Sequence, residues 1–161
     1  MQEKETINYG DFADLGRLPG HGRLIAIDTG TKRIGVAVSD ENRTVCRPLP
    51  YIKRSSWKKL LTQIQALLRE YDAKALIIGL PLESDGNESE MSEFAREMGR
   101  KFRLSLSMPV FLQDERVSSY EAKSRIWRSG NKNADLRAIV DSEAAAIILN
   151  DFIDRTTSQN R

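Results

Sequence analysis

The sequence predicts an α/β domain in which a mixed sheet carries helices on its faces. Three observations lead there. Two short β-branched runs, Leu24 to Ile27 and Ile34 to Val38, flank a polar turn and read as an antiparallel hairpin. Two later runs, Ala75 to Ile78 and Val110 to Leu112, are continuous rather than alternating, the pattern of strands buried on both faces. Segments with helical spacing separate and follow these runs, and such alternation after a hairpin-rich start implies a mixed sheet. Strand order does not follow from this pattern.

Each element has a local reason. Thr44 to Lys53 reads as a third strand, and Pro48 and Pro50 confine it to an edge or a bulge because proline has no amide proton for the ladder. Ser55 or Ser56 caps a helix whose Trp57, Leu60, Leu61, Ile64, Leu67 and Leu68 share one face. Asn87 to Glu90 has capping-box spacing, with Met91, Phe94, Ala95, Met98 and Phe102 at helical intervals behind it. Pro109 precedes the Val110–Leu112 strand. Ser118 to Glu121 repeats the capping-box spacing and opens a helix expected to stop at Gly130. The last helix is expected from Asp141 to Ile153, where Ala144, Ala145 and Ala146 allow close approach to a sheet. Residues 1–22, polar and rich in glycine, read as a flexible extension, 23–154 as the folded domain and 155–161 as a tail.

Composition excludes several kinds of chemistry. The single cysteine, Cys46, leaves no intramolecular disulfide and no cysteine-based zinc cluster. His21 is the one histidine and sits between glycines, a poor place for a general base, which must be held in position. No apolar run approaches the roughly 20 residues that span a bilayer, and the acidic start (Glu3, Glu5, Asp11, Asp14) is unlike a signal peptide. A cytoplasmic protein is therefore expected. The formal charge of +2 is too small to argue for nucleic acid, but its distribution is uneven. Seven basic residues and no acid lie between Arg43 and Arg69, and nine bases face four acids between Arg100 and Arg137. Such polarity suits a surface that tracks phosphates, although scattered solvated helix faces give the same count. Trp127, between Arg125 and Arg128, reads either as a core residue or as a base-stacking platform.

Three acids stand at element ends: Asp28 ends the first strand, Asp114-Glu115 follows the last, and Asp141 starts the last helix. Neighbouring strand ends converge in a mixed sheet, so acids distant in sequence can meet. Clustered carboxylates raise one another's pKa or recruit a cation, and hard oxygen ligands suit Mg²⁺ or Mn²⁺. Each acid also has a plain reading. Asp28 serves as a turn residue, Asp141 as a cap or dipole partner, and Asp114 and Glu115 as surface partners of Arg116. Spacing alone does not choose.

Four motifs occur together in one order: Asp28-Thr-Gly-Thr-Lys-Arg-Ile-Gly-Val-Ala-Val-Ser-Asp40, Gly79-Leu-Pro-Leu82 with Asp85-Gly86, Asp114-Glu-Arg116, and Asp141-Ser-Glu-Ala-Ala-Ala146. Together they resemble the YqgF/RuvX family, Holliday-junction-resolvase-like nucleases of the ribonuclease H fold that are also implicated in maturing the small-subunit rRNA precursor. The resemblance spans about residues 23–154. It implies a five-stranded ribonuclease H-like sheet and a phosphodiester hydrolase using Mg²⁺ or Mn²⁺. By the same resemblance, Asp28, Glu115 and Asp141 are the catalytic and metal-holding acids. Asp114 is the alternative to Glu115, because strand alternation puts the two on opposite sides. A family-typical Ser-Thr after the Asp-Glu-Arg motif is Ser118-Ser119 here, which keeps both hydroxyls.

Gly30 permits a tight turn or a close backbone approach, or is a plain hairpin glycine. Lys32, Arg33 and Arg116 are placed to contact nucleic-acid phosphates; the plain readings are a solvated hairpin tip and an acid partner. The implied partners are pre-rRNA or branched DNA, with no membrane, and the chain acts as a monomer or homodimer. Two other readings fit the same residues. One is a binding module of the same fold with weak or no activity. The other is an actin-like nucleotide-binding protein, since Asp-x-Gly-Thr hairpins also cradle phosphates there, though 161 residues offer no second jaw.

Overall fold

A computed structural model describes residues 15–83, 85–115 and 136–159, with side chains in the last segment from 142 to 157. Strands β1 (Ile25–Thr29), β2 (Arg33–Ser39) and β3 (Cys46–Lys53) precede helix α1 (Trp57–Glu70), β4 (Leu76–Leu80), helix α2 (Glu90–Ser105), β5 (Val110–Asp114) and helix α3 (Leu136–Gln159). The five strands form one sheet in the order β3-β2-β1-β4-β5. β1 pairs antiparallel with β2 and parallel with β4, and β4 pairs parallel with β5. This is the mixed sheet with an antiparallel opening hairpin that the sequence implies.

The sheet is covered on both sides. Ile25, Ile27, Leu76, Ile78, Val110 and Leu112 enter one core with Leu60, Ile64 and Leu68 of α1 and Met98 and Phe102 of α2. Leu24, Ala26, Ile77 and Phe111 enter the other with Ala145, Ile148, Leu149 and Phe152 of α3. Double-sided burial explains why the strands read as continuous apolar runs. Phe111 and Phe152 lock α3 to β5, with ring centroids 5.3 Å apart. Leu15, the first residue of a short 3₁₀ turn at Leu15–Arg17, and Leu18 just after it pack against the α3-side core.

β3 lies at the edge, and its register against β2 shifts between Ile34 and Val36, the irregularity the two prolines lead one to expect. Ser56 caps α1, its side chain accepting from the Lys59 amide. Two expected boundaries are corrected. The capping box of α2 is Ser89 with Ser92, not Asn87 with Glu90. Asn87 is already engaged with Asp85, donating from both its backbone and its side-chain amide at 3.0 and 2.8 Å. Helix α3 begins at Leu136, so Asp141 is its sixth residue and not its start. The helix expected from Ser118 to Gly130, with Trp127, lies outside the described residues. Among the described residues no helix is long and apolar enough to cross a membrane.

Candidate active site

The sheet order puts β4 between β1 and β5, and one glycine governs what happens across it. Ile27 pairs with Ile78, so Asp28 stands beside Gly79, which in turn pairs with Gln113 of β5. Asp28 follows Ile27 and therefore shares a face with Ala26, the α3 side of the sheet. By the same alternation Glu115 shares that face with Phe111 and Gln113, while Asp114 lies on the α1/α2 side. The Glu115 amide donates to the Leu80 carbonyl at 3.1 Å, holding the end of β5 against β4.

β1 and β5 are two strand spacings apart, about 10 Å. Their carboxylates meet only if β4 puts nothing in the way. A Cβ on Gly79 would lie 2.9 Å from both the carboxyl carbon and Oε2 of Glu115, and 2.5 Å from Cδ1 of Ile148. The longer acid, Glu115, thus extends over the bare backbone of Gly79 toward Asp28, and Ile148 closes the floor. In the sequence Gly79 stands only as the first residue of the Gly79-Leu-Pro-Leu82 motif. Its part as a spacer depends on register, and only the flanking buried strand hinted at it.

Glu115 is 6% exposed, and its Oε2 has no hydrogen-bond partner among the described residues. Its pKa is pushed well above the ordinary carboxylate value, first by burial, then by the charge of Asp28 and the hydrogen bond shared with it, then by Asp114. Two carboxyl groups in contact do not both ionise cheaply, so the metal-free pair retains a proton or takes a cation. An orphaned buried oxygen beside a second carboxylate suits a hard divalent ion, which bonds oxygen and offsets both charges.

Asp28 and Glu115 are therefore brought together, whereas Asp114 faces away. Asp141 lies inside α3, beyond the first turn where a cap or dipole role operates, so its expected place as the helix start is overturned. Helical periodicity sets position 141 on the same side of α3 as Ala145 and Ile148; its side chain lies outside the described part. Among the described residues no group of three or more His, Cys, Asp or Glu side chains gathers to hold a metal. Arg116 is outside the described residues.

The turn between β1 and β2 is closed by the Gly30 amide donating to the Arg33 carbonyl at 2.9 Å. A Cβ on Gly30 would collide with that same carbonyl oxygen, so this glycine permits close backbone approach within the turn. Lys32 is exposed, and the Arg33 guanidinium lies 5.2 Å from the centroid of the Tyr51 ring. Arg54, one of the seven basic residues between Arg43 and Arg69, secures the turn. Its amide donates to the Lys32 carbonyl at 2.9 Å and its Nη1 to the Thr31 carbonyl at 3.2 Å, while its guanidinium covers Phe94 at 4.0 Å.

The remaining nucleophile candidates stand apart. Burial and the charges of Asp40 and Asp154 push the Cys46 thiol up to about 12, which keeps it protonated and unreactive. His21 is exposed before the start of β1, the end opposite Asp28, with Nε2 3.1 Å from Asn42 Oδ1.

A sequence model of the RuvX family, described as Holliday junction resolvase, matches residues 22–155. A relative from Anaeromyxobacter sp. (strain Fw109-5), named "Putative pre-16S rRNA nuclease", is 37% identical over 132 residues, which cover 82% of this chain and 96% of the relative. One of the same name from Paraburkholderia xenovorans (strain LB400) is 40% identical over 131 residues, covering 81% and 87%. Among solved structures, T. thermophilus RuvC in complex with a Holliday junction substrate superposes with a TM-score of 0.52 at 17% identity, covering 84% of this chain and 96% of that one. At that identity the likeness speaks for the fold.

Proposed function

Since the chain belongs to the RuvX family of Holliday junction resolvases, we propose that it is a divalent-metal-dependent nuclease that hydrolyses phosphodiester bonds in structured nucleic acid. The substrate proposed first is the 5′ end of the 16S rRNA precursor, the RNA named for relatives that match along nearly their whole length; a four-way DNA junction is the second. The observation that carries this reading is the Asp28–Glu115 carboxyl pair lying across Gly79. The sheet core on either side fixes both backbones, so the acids are held before substrate arrives.

Asp28, Glu115 and Asp141 are the residues that would hold Mg²⁺ or Mn²⁺, which when bound supplies charge neutralisation at the scissile phosphate and acidifies water. The chain's own contributions follow from its geometry. Burial of Glu115 keeps bulk water from its carboxylate and strengthens every charge interaction there. Without a cation the raised pKa of Glu115 favours keeping a proton on the pair; a cation held by Asp28 and Glu115 would offset their charge in its place. Lys32 and Arg33, on the turn pinned by Arg54, face the phosphates of the bound strand. The attacking nucleophile is water, since neither Cys46 nor His21 is near the acids.

The direct test is cleavage of a 16S rRNA precursor fragment and a four-way junction by purified protein with Mg²⁺ or Mn²⁺ and with EDTA. Cleavage of at least one substrate only with metal is expected. Salt-sensitive binding without metal-dependent turnover would replace this reading with that of a binding module, and cleavage undiminished by EDTA would remove the metal.

The carboxyl pair also predicts a stability signature. Glu115 binds its proton more tightly in the folded than in the unfolded state, so its contribution is most favourable below the unfolded carboxylate pKa of about 4.3. That contribution is lost as pH rises from there through the raised folded value. Metal-free protein should therefore fall in Tm relative to Glu115→Gln as pH rises through that range. Mg²⁺ should restore wild-type Tm more at pH 8 than at pH 5.5. Thermal unfolding of both proteins across pH checks this; identical pH profiles would place no titrating pair at Glu115.

A further inference from the structure

Arg33 and Lys53 are directly opposite each other across β2 and β3. Like charges at such positions repel and destabilise the pair. None of the ion pairs among the described residues includes either of them. Their strand neighbours Ile34 and Ile52 both enter the α1/α2 core, so Arg33 and Lys53 occupy the other face, the one that carries Asp28.

Asp28 pairs with Gly35, two residues along β2 from Arg33. That step is about 7 Å, similar to the separation of successive phosphates on one nucleic-acid strand, and Gly35 puts no side chain in between. We propose that Arg33 and Lys53 form a phosphate subsite that receives the phosphodiester next to the one cut, leading the substrate strand from the acid pair toward the β3 edge.

Three further features fit that use. The Gly30–Arg33 hydrogen bond and the two Arg54 contacts fix the turn, so Arg33 leaves a rigid base. Tyr51, 38% exposed, carries the guanidinium on its ring, which lowers the entropy lost when a phosphate is bound. Pro48 and Pro50 already blunt the edge of β3, so protection from strand pairing, the usual work of an edge lysine, does not require Lys53. Nor does it require an arginine opposite. A phosphate between the two cations removes their repulsion and gains two charge-assisted hydrogen bonds.

The subsite rests on Asp28 and Glu115 marking the cutting centre, so its test separates the two. Binding of a fluorescein-labelled 16S rRNA precursor hairpin is measured in EDTA against salt concentration for Arg33→Gln/Lys53→Gln. The control is Arg17→Gln/Lys74→Gln, an equal charge loss before β1 and β4, at the end of the sheet opposite Asp28 and outside both basic stretches. The subsite pair should weaken binding roughly tenfold at moderate salt and flatten the slope of log K against log salt by about one. The control pair should leave the slope near wild type. The Tm of Arg33→Gln/Lys53→Gln should hold or rise, because a repulsion is removed, and that certifies the fold. Equal losses in both double variants, or none in the subsite pair, overturn the subsite. If Asp28→Asn stops cleavage in that same outcome, only the subsite fails. If Asp28→Asn still cuts, the assignment of the centre fails and takes the subsite with it.

Discussion

Asp28→Asn is expected to slow cleavage by about a thousandfold or more while making the metal-free protein more stable. The rate follows from the chemistry assigned to the pair. Charge stabilisation from a correctly held cation amounts to several kcal/mol, and each 1.36 kcal/mol is tenfold in rate. The stability follows from electrostatics alone. Asp28 faces a buried carboxyl whose pKa it helps to raise, and an amide in its place removes that repulsion. A gain of about 1 kcal/mol corresponds to roughly 2–4 °C in a domain of this size. Single-turnover cleavage with Mg²⁺ and thermal unfolding in EDTA measure the two effects on one preparation. A variant that loses activity because it unfolds would be less stable, so opposite signs separate a functional role from a structural one. Unchanged cleavage would remove Asp28 from the reaction.

Gly79→Ala is expected to cost about a hundredfold in rate with little change in Tm, the kind of loss that displacement of a positioned group by about an ångström produces. The new Cβ would press on the Glu115 carboxyl at 2.9 Å and on Ile148 Cδ1 at 2.5 Å. Both are ends of flexible side chains, so the fold yields by rotamer changes and the acid is pushed from Asp28. Replacing glycine also removes freedom from the unfolded chain, which offsets part of the strain. Adding Ile148→Val to Gly79→Ala relieves only the aliphatic collision. Cleavage should stay low and Tm close to that of Gly79→Ala, provided that loss of Glu115's position is the cause. Recovery of full activity on that change would assign the defect to packing of α3 instead.

How much of this was legible in the sequence varies with the range of the interaction. The β1–β2 hairpin, the buried β4, the edge placement of β3 and the Ser56 cap were readable because each is set by neighbouring residues: alternation, a proline without an amide proton, a serine before an apolar stripe. The cap of α2 was misplaced by two residues because Asn87 and Ser89 fit the same local rule, and only the contact with Asp85 withdraws Asn87. The start of α3 was misplaced because Asp141 resembles a helix opener, whereas apolar residues from Leu136 onward continue the turn before it.

The site shows the same division. From the chain alone came the three candidate acids, the expectation by alternation that Asp114 and Glu115 lie on opposite sides, and the family resemblance, which implied Glu115 as the metal-facing one and which the comparisons bear out as a family. The pairing of Asp28 with Glu115 across Gly79, the clamp made by Arg54 and the opposition of Arg33 to Lys53 came only from the folded sheet. Sequence determines which residues alternate and which can cap, because those depend on a few adjacent dihedrals. It does not determine which strand lies beside which, because that choice balances loop closure against burial over the whole chain. The order β3-β2-β1-β4-β5 is the decision that turned separated carboxylates into neighbours.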